Sequence, residues 1–322
     1  MPIRPPRLEP GDVIGVAAPA SPPPDPKNID RGVAALEALG FKVRLAPNAR
    51  QRWGYLAGSD RDRADDLMRL FADRSVKAIV CVRGGYGAAR LLPLLDFQLI
   101  RKHPKIFVGY SDITSLHCAL LRRANLISFH GPMLNSDFAH ARVPRFTRES
   151  FLRTVCGVDA SGRPWRGDIA EGYTGRTVAV LHPGVARGQL VGGNLTLLSA
   201  ALGTPWQPPF RGRILFFEDV NEKPYDMDRM LTQLLNAGLL QQVAGIAVGI
   251  NKNCRDPKAA RAKEYRQTVD DVIRERLLPL GVPLVTGLPF GHLPTNATLP
   301  VGAEVELDAE RGRLLLLQPA VR

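Results

Sequence analysis

Short apolar runs alternate along the first half of the chain with longer segments whose apolar residues recur at helical spacing. The runs predict strands over residues 12–17, 41–45, 78–82 and 126–129, and the periodic segments predict helices over residues 29–39 and 60–71. Because strands and helices take turns, the pattern is typical of a parallel, doubly wound α/β sheet.

The pattern changes near residue 159, where glycine, aspartate, arginine and proline follow one another without periodicity up to residue 173. Beyond it, strand-like apolar runs mix with helices, and the chain closes in a β-rich tail around the Glu310-Arg311-Gly312 turn. We therefore predict an N-terminal α/β domain over residues 1–158, a linker over 159–175, and a mixed α/β, β-rich C-terminal domain over 176–322.

A serine stands where a predicted buried strand meets a predicted helix. Gly109-Tyr110-Ser111-Asp112 follows the apolar run Ile106-Phe107-Val108, and residues 113–123 continue with helical spacing. This arrangement predicts a nucleophile elbow, in which a sharp turn lifts the Ser111 hydroxyl clear of the sheet, near the N–H groups that open the helix. The alternative is that Ser111 caps the helix, because serine is a favoured N-cap residue and Ile113 replaces the second glycine of the usual G-x-S-x-G.

A serine nucleophile needs a base, and His292 is the candidate among the six histidines. It lies between Pro289-Phe290-Gly291 and Leu293-Pro294-Thr295, in a loop rich in turn-forming residues that would hold the ring rigidly. The alternative is a plain surface imidazole. His130, at the end of a predicted strand, is a second histidine that could line a cleft.

The candidate carboxylate is Glu218, which follows the apolar run Ile214-Leu215-Phe216-Phe217 and precedes Asp219. Such a run predicts a buried strand that delivers Glu218 to its C-terminal end, where sites collect in α/β sheets. The alternative is that an acid here caps the helix beginning near Pro224. Asp219 or Asn221 could do that capping and leave Glu218 free to orient a histidine.

A glycine-rich loop, Arg83-Gly84-Gly85-Tyr86-Gly87, follows the predicted strand over residues 77–82. It is not the G-x-G-x-x-G of a dinucleotide site, and no Walker lysine follows it. We predict an oxyanion hole, in which the N–H groups of Gly85 and Asp112 receive a developing negative charge. A tight turn without a catalytic role is the alternative.

The chain carries a formal net charge of +12, which raises the question of a nucleic-acid partner. Arginines are dispersed, however, and the densest basic patch, residues 255–263, is interrupted by Asp256 and Pro257. Aromatic residues that stack on bases are also sparse, at 7%. We expect no nucleic-acid partner, and a solvated surface or a basic cleft for an anionic peptide explains the charge.

Two further features bear on the cellular compartment. No stretch approaches the roughly 18 apolar residues of a membrane span, and Met1–Arg7 has no apolar signal-peptide core. Cys81, Cys118, Cys156 and Cys254 show no C-x-x-C spacing, which fits free thiols in a reducing compartment. We therefore expect a cytoplasmic protein without a membrane partner.

Four segments together resemble the marker segments of the serine LD-carboxypeptidase family: Arg83-Gly84-Gly85-Tyr86-Gly87, Gly109-Tyr110-Ser111-Asp112, Phe216-Phe217-Glu218-Asp219 and Pro289-Phe290-Gly291-His292. Supporting segments lie at residues 16–21, 129–133, 188–195 and 296–302, so the resemblance covers nearly the whole chain. It implies a Ser111-His292-Glu218 triad, a homodimer, and release of the terminal D-alanine from murein tetrapeptides during cell-wall recycling. Neither a metal nor an organic cofactor is needed for that chemistry.

A carboxypeptidase must also recognise a free carboxylate, and Arg83, Arg90 and His130 are the candidates, although ordinary surface arginines fit Arg83 and Arg90 as well. Two alternatives for the function stay open. Microcin C self-immunity peptidases of the same family use this triad on an aminoacyl-nucleotide amide. From another class, the chain would be a non-catalytic nucleotide- or nucleic-acid-binding module.

Overall fold

The first sheet organises the N-terminal half of the protein. The computed structural model describes residues 1–175, 177–256 and 267–322, so most of the basic patch at 255–263 lies outside the described residues. The parallel strands of this sheet are β1 (Val13–Ala17), β2 (Lys42–Leu45), β3 (Val76–Cys81), β4 (Ile106–Gly109) and β5 (Ser128–His130), in the order β5-β4-β3-β1-β2. Their side chains are almost wholly buried except in the edge strand β2, as expected for a sheet covered by helices on both faces.

The second sheet contains eight strands and is mixed. Its strands are β6 (Gly167–Asp168), β7 (Ala179–His182), β8 (Val185–Asn194), β9 (Ile214–Glu218), β10 (Gly245–Gly249), β11 (Leu284–Leu288), β13 (Glu304–Asp308) and β14 (Arg313–Leu316). The central strands β8, β9, β10 and β11 run parallel, and the outer pairs are antiparallel, in the order β6-β14-β13-β8-β9-β10-β11-β7.

A strand from the second half completes the first sheet. β12 (Leu299–Val301) pairs antiparallel with β5 and occupies the edge of that sheet. β6 lies within residues 159–175, the segment predicted to be a linker, and yet it pairs with β14 of the second sheet. The two sheets are therefore linked more closely than a simple division at residues 159–175 suggests.

The α-helices are α1 (Lys27–Ala38), α2 (Asp60–Ala72), α3 (Phe97–Lys102), α4 (Thr114–Ala119), α5 (Arg145–Cys156), α6 (Leu195–Ala200), α7 (Pro224–Asn236) and α8 (Val269–Leu277). A 3-10 helix (Ala88–Leu94) follows the glycine-rich loop, and a π turn (Leu120–Ala124) extends α4. No helix among the described residues is both long and apolar enough to cross a membrane.

The predicted fold class is confirmed, with a parallel sheet in the N-terminal half and a mixed, β-rich second half. Sequence patterning did not identify β8 as a strand, because its C-terminal part is glycine-rich. The glycines are needed there, since a Cβ at Gly192 would lie 1.8 Å from the carbonyl oxygen of Phe216 on β9. Only glycine permits so close an approach of the two strands.

Candidate active site

Ser111 lies in a backbone conformation that L-residues rarely adopt. It comes two residues after the end of β4, with φ of 63°, and α4 begins three residues later. Holding a non-glycine residue in this left-handed region costs about 1–3 kcal/mol, and such strain clusters at functional sites. The helical turns that start here have no side-chain capping bond, so the structure shows an elbow and not a capped helix.

The glycine-rich loop passes directly beside the serine. A Cβ on Gly84 would lie 2.8 Å from the Cβ of Ser111, 3.0 Å from its Oγ and 3.2 Å from the backbone nitrogen of Asp112. Gly84 therefore has no room for a side chain, although sequence reasoning singled out Gly85 in this loop. Gly85 is the next residue, exposed and with φ of +105°.

Side chains from three other segments hold this loop in place. The Asp112 carboxylate accepts a hydrogen bond from the Ala88 N–H (2.8 Å), and Ser21 Oγ accepts one from the N–H of Tyr86 (3.1 Å). The buried Arg63 guanidinium donates to the Gly87 carbonyl (3.0 Å). Burial raises the pKa of Asp112 to about 6, even though the Ala88 N–H and the Arg63 charge favour its ionised form.

The second half of the chain supplies a carboxylate–imidazole pair. Glu218, the last residue of β9, is fully buried, and its Oε2 accepts a hydrogen bond from His292 Nδ1 at 2.7 Å. Gly291 has φ of +120°, and a Cβ there would lie 2.9 Å from Glu218 Oε2. Glycine is thus required before His292, because a larger residue would displace the carboxylate from the ring.

The local charges favour the protonated form of His292. Burial by itself disfavours the cation, but the hydrogen bond that His292 donates to Glu218 and the Glu218 charge outweigh that cost, with smaller contributions from Asp219 and Asp137. The pKa of His292 therefore lies above its ordinary value of 6.5. A base with this property holds the proton that it takes from a hydroxyl.

Tyr110 joins the two parts of the site. Its ring packs edge-on against the His292 imidazole, with centroids 5.0 Å apart, so His292 lies beside the elbow. Among the described residues, Ser111 Oγ makes no hydrogen bond to His292, whose partner is Glu218. Such bonds are commonly long in a free enzyme and shorten when the substrate binds. The structure thus shows the Glu218–His292 bond, with the His292 ring against Tyr110, the residue that precedes Ser111.

Asp219 has a different role from the one predicted. Its carboxylate accepts hydrogen bonds from the Asn194 side chain (2.8 Å) and from the N–H and hydroxyl of Thr196 (2.9 Å each), so it fixes the start of α6. The prediction that Asp219 or Asn221 caps α7 is wrong, because α7 begins at Pro224 without a side-chain cap. Glu218 is nevertheless free to bind His292, as predicted.

The candidates for carboxylate recognition lie in three different environments. Arg83 is partly buried and donates to the Pro22 carbonyl (3.2 Å), and burial lowers its pKa. Arg90 is exposed and forms an ion pair with Asp60 at 2.9 Å. His130 is fully buried, with its ring centroid 5.7 Å from that of Tyr110, so the predicted contact with substrate has no exposed surface to act through.

Some residues that form the site could not be identified from the sequence. Thr114, at the start of α4, accepts a hydrogen bond from the Asn194 N–H (2.9 Å) and so joins the elbow helix to the second sheet. Tyr110 lies within the quoted motif, but nothing in its spacing indicated contact with a ring 182 residues away. Gly84 and Gly291 could be recognised in the sequence as turn-forming residues. Their close approach to the side chains of Ser111 and Glu218 could not be predicted.

Comparison with known proteins divides the chain into the same two halves, each of which matches a separate family model. Residues 14–131 match the model of the LD-carboxypeptidase N-terminal domain, and residues 187–307 match that of the C-terminal domain. A probable murein peptide carboxypeptidase of Bacillus subtilis is 41% identical over 305 residues, covering 95% of this chain and 91% of its own. The crystal structure of a muramoyltetrapeptide carboxypeptidase from Oxalobacter formigenes superposes with a TM-score of 0.78 at 31% identity, covering 94% and 97% of the two chains.

The structure of the microcin C7 self-immunity protein MccF with glutamyl sulfamoyl guanosine is also similar. It superposes with a TM-score of 0.88 at 25% identity over the full length of both chains. These relatives agree in fold and differ in what their names say they act on. Since the two domain models together match more than half of the chain and a relative at 41% identity covers 95% of it, the protein is a hydrolase that belongs to the LD-carboxypeptidase family.

Proposed function

We propose that this protein is a serine LD-carboxypeptidase that releases the terminal D-alanine from murein tetrapeptides. The observation that carries the proposal is the 2.7 Å bond between Glu218 and His292 beside the strained backbone of Ser111. A nucleophile, an orientable base and a buried carboxylate are the parts that a covalent serine mechanism requires.

In the first step, His292 removes the Ser111 proton and the Ser111 oxygen attacks the carbonyl carbon of the scissile bond. The tetrahedral oxyanion accepts hydrogen bonds from the N–H groups of Gly85 and Asp112. Glu218 holds the ring in the tautomer whose second nitrogen faces Ser111, and its charge stabilises the imidazolium that forms.

In the second step, the carbon–nitrogen bond breaks and His292 passes its proton to the leaving amine of D-alanine. Water, deprotonated by His292, then attacks the carbonyl carbon of the acyl-enzyme ester. The bond to the Ser111 oxygen breaks, the remaining peptide is freed as a carboxylate, and His292 returns its proton to Ser111. Over both steps, one water is consumed and D-alanine and the shortened peptide are released. Arg83, which lies one residue before Gly84, is our candidate for binding the D-alanine carboxylate.

The murein substrate is preferred over an aminoacyl-nucleotide amide because the relatives named as murein carboxypeptidases are 31% and 41% identical, whereas MccF is 25% identical. The four free cysteines are consistent with action in a reducing compartment such as the cytoplasm, on recycled wall fragments. The MccF-like activity remains the second candidate, since the fold matches that structure over its full length.

The experiment is a parallel assay with a muramoyl tetrapeptide and an aminoacyl sulfamoyl nucleoside, each followed by mass spectrometry of the products. We expect release of D-alanine from the tetrapeptide, none with Ser111→Ala, and normal release with Ser161→Ala, a matched change at an exposed serine. Cleavage of the nucleoside alone would replace the proposal by the second candidate. Full activity in Ser111→Ala would exclude a covalent serine mechanism.

A further inference from the structure

The loop that carries His292 is fastened to a helix from the other half of the chain. On α5, Thr147, Ser150 and Thr154 recur at spacings of three and four, so they form one polar stripe on the helix, and all three are fully buried. Buried hydroxyl groups are expected to have hydrogen-bond partners. Two of the three have them, and those partners lie in residues 294–298.

Thr147 makes two of these bonds through a single hydroxyl. Its Oγ1 donates to the Pro294 carbonyl at 2.8 Å and accepts a hydrogen bond from the Asn296 N–H at 2.8 Å. Ser150 Oγ accepts a third hydrogen bond, from the N–H of Thr298, at 3.0 Å. Three backbone groups of residues 294–298 are therefore satisfied by α5, whereas the N–H groups of Leu293 and Ala297 bond to carbonyls of the same loop.

Asn296 extends the attachment to the other side of the histidine. Its Oδ1 accepts a hydrogen bond from the Gly291 N–H at 3.2 Å, and Asn296 is itself fully buried. His292 thus lies between two anchored residues, Gly291 on one side and Pro294 on the other. In the part of the chain that the structure describes, its side chain is held by Glu218 and the Tyr110 ring, so the backbone anchors help to decide where the ring is placed.

We propose that Thr147 and Asn296 are positioning residues that fix the His292 loop against the first half of the protein and so aim the base at Ser111. The inference rests on the proposed role of His292 as the base. Thr147 acts through the loop backbone, because its hydrogen bonds go to Pro294 and Asn296 rather than to the triad. A displacement of about 1 Å in a catalytic group costs roughly 100-fold in rate.

The test compares three substitutions on α5. Thr147→Val keeps the shape of the side chain and removes both hydrogen bonds, whereas Thr147→Ser keeps the hydroxyl. Thr154→Val is the matched control, since Thr154 Oγ1 is equally buried and has no partner among the described residues. We expect kcat to fall about 100-fold in Thr147→Val with KM unchanged, and to stay within about threefold of wild type in the other two.

A second readout does not depend on turnover. The proton in the His292–Glu218 hydrogen bond is expected to give a downfield proton NMR signal, which Thr147→Val should shift or broaden and Thr147→Ser and Thr154→Val should leave in place. This signal decides the inference even if the wild-type protein cleaves neither assay substrate, which would refute only the proposed function. Should Thr147→Val not fold, Ser150→Ala takes its place, with an expected kcat loss of about fivefold and the same change in the signal.

Three results would overturn the inference. The first is an unchanged kcat and NMR signal in folded Thr147→Val or, in its place, Ser150→Ala. The second is a failure of Thr147→Ser to restore them, which would show that the methyl packing and not the hydroxyl matters. The third is an equal loss in Thr154→Val, which would reduce the effect to general damage to α5.

Discussion

The nucleophile side and the acid–base side of the site are held by contacts of very different range. The glycine loop is tied to the elbow by the Ala88–Asp112 bond, whose partners are 24 residues apart. Glu218 and His292 are 74 residues apart, and Thr147 and Asn296 are 149 apart. The Ser111 backbone is thus placed by local geometry, with the Thr114–Asn194 bond as a link to the second sheet. The position of His292 depends on long-range contacts, of which the Thr147–Asn296 bond joins the two halves of the chain.

This difference suggests how each side should respond to mutation. Changes on the nucleophile side should alter chemistry with little effect on stability, because strain and steric closeness are confined to a few residues. Changes on the acid–base side should reveal how well the long-range contacts orient a ring. The following substitutions are ordered by the size of the expected effect on rate.

Replacing the nucleophile should have the largest effect. Ser111→Ala should lower kcat by about 10⁴-fold or more, with a free energy of unfolding within about 1 kcal/mol of wild type. Ser111→Gly should be equally inactive and about 1 kcal/mol more stable than Ser111→Ala, since glycine adopts a φ of 63° without strain. Calorimetry and D-alanine release measure the two quantities, and equal stability of both variants would argue against a strained elbow.

Neutralising the carboxylate should come next. Glu218→Gln should fold but lose about 10³- to 10⁴-fold in kcat, because the amide neither fixes the tautomer of His292 nor stabilises its cation. The control is Asp219→Asn at the adjacent position, where the lost contacts are to Asn194 and Thr196. It should cost about 1–3 kcal/mol of stability and much less rate. A comparable rate loss in both variants would contradict the assignment of Glu218.

Crowding the serine should have an intermediate effect. Gly84→Ala places a methyl group 2.8 Å from the Ser111 Cβ, so the elbow or the loop must shift, and we expect kcat to fall about 100-fold. The comparison is Gly40→Ala, where open space surrounds the new methyl group and only the positive φ is unfavourable. That variant should lose stability and keep its rate. Normal turnover by Gly84→Ala would show that the loop does not border the reacting atoms.

The smallest effect is a displacement of the pH profile. His292 must be neutral to accept a proton, so kcat/KM should fall as the pH drops through its pKa, which lies above 6.5. Removing the Glu218 charge lowers that pKa, and the residual activity of Glu218→Gln should therefore persist to lower pH than that of the wild type. Rate measurements from about pH 5 to about pH 9 cover the range in which histidine titrates. If the acidic limbs of the wild-type and Glu218→Gln profiles coincide, the group that titrates in that limb is not His292.

The sequence separation of these contacts also explains which features of the site could be predicted from the sequence. The β4–elbow–helix unit was predicted correctly, because an apolar run, a turn and a helical period are adjacent in the chain. Glu218 and His292 were selected by their positions after a buried strand and within a rigid loop, and the structure brings them into contact. Their mutual distance could not be predicted, since nothing in either segment specifies the other.

Two errors have identifiable physical causes. Asp219 was offered, with Asn221, as a possible cap of the following helix, whereas its carboxylate binds the start of α6, which precedes it in the chain. β8 was missed because the glycines that permit its close approach to β9 also erase the apolar alternation of a strand. In both places a tertiary contact overrides the local pattern on which the prediction depended.

Because β12 comes from the second half of the chain and completes the first sheet, it restricts how the gene for this protein can be divided or recombined. A gene fragment ending at residue 158 would encode a sheet whose β5 edge has lost its covering strand, and its bare N–H and C=O groups would invite self-association. The second fragment would likewise lose α5, the helix that bonds to the loop carrying His292. Although two family models match the chain, its halves are not exchangeable modules. A recombination event that joined one half to the complementary half of a distant relative would have to preserve two contacts to yield a working enzyme. These are the pairing of β12 with β5 and the bonds between α5 and the His292 loop.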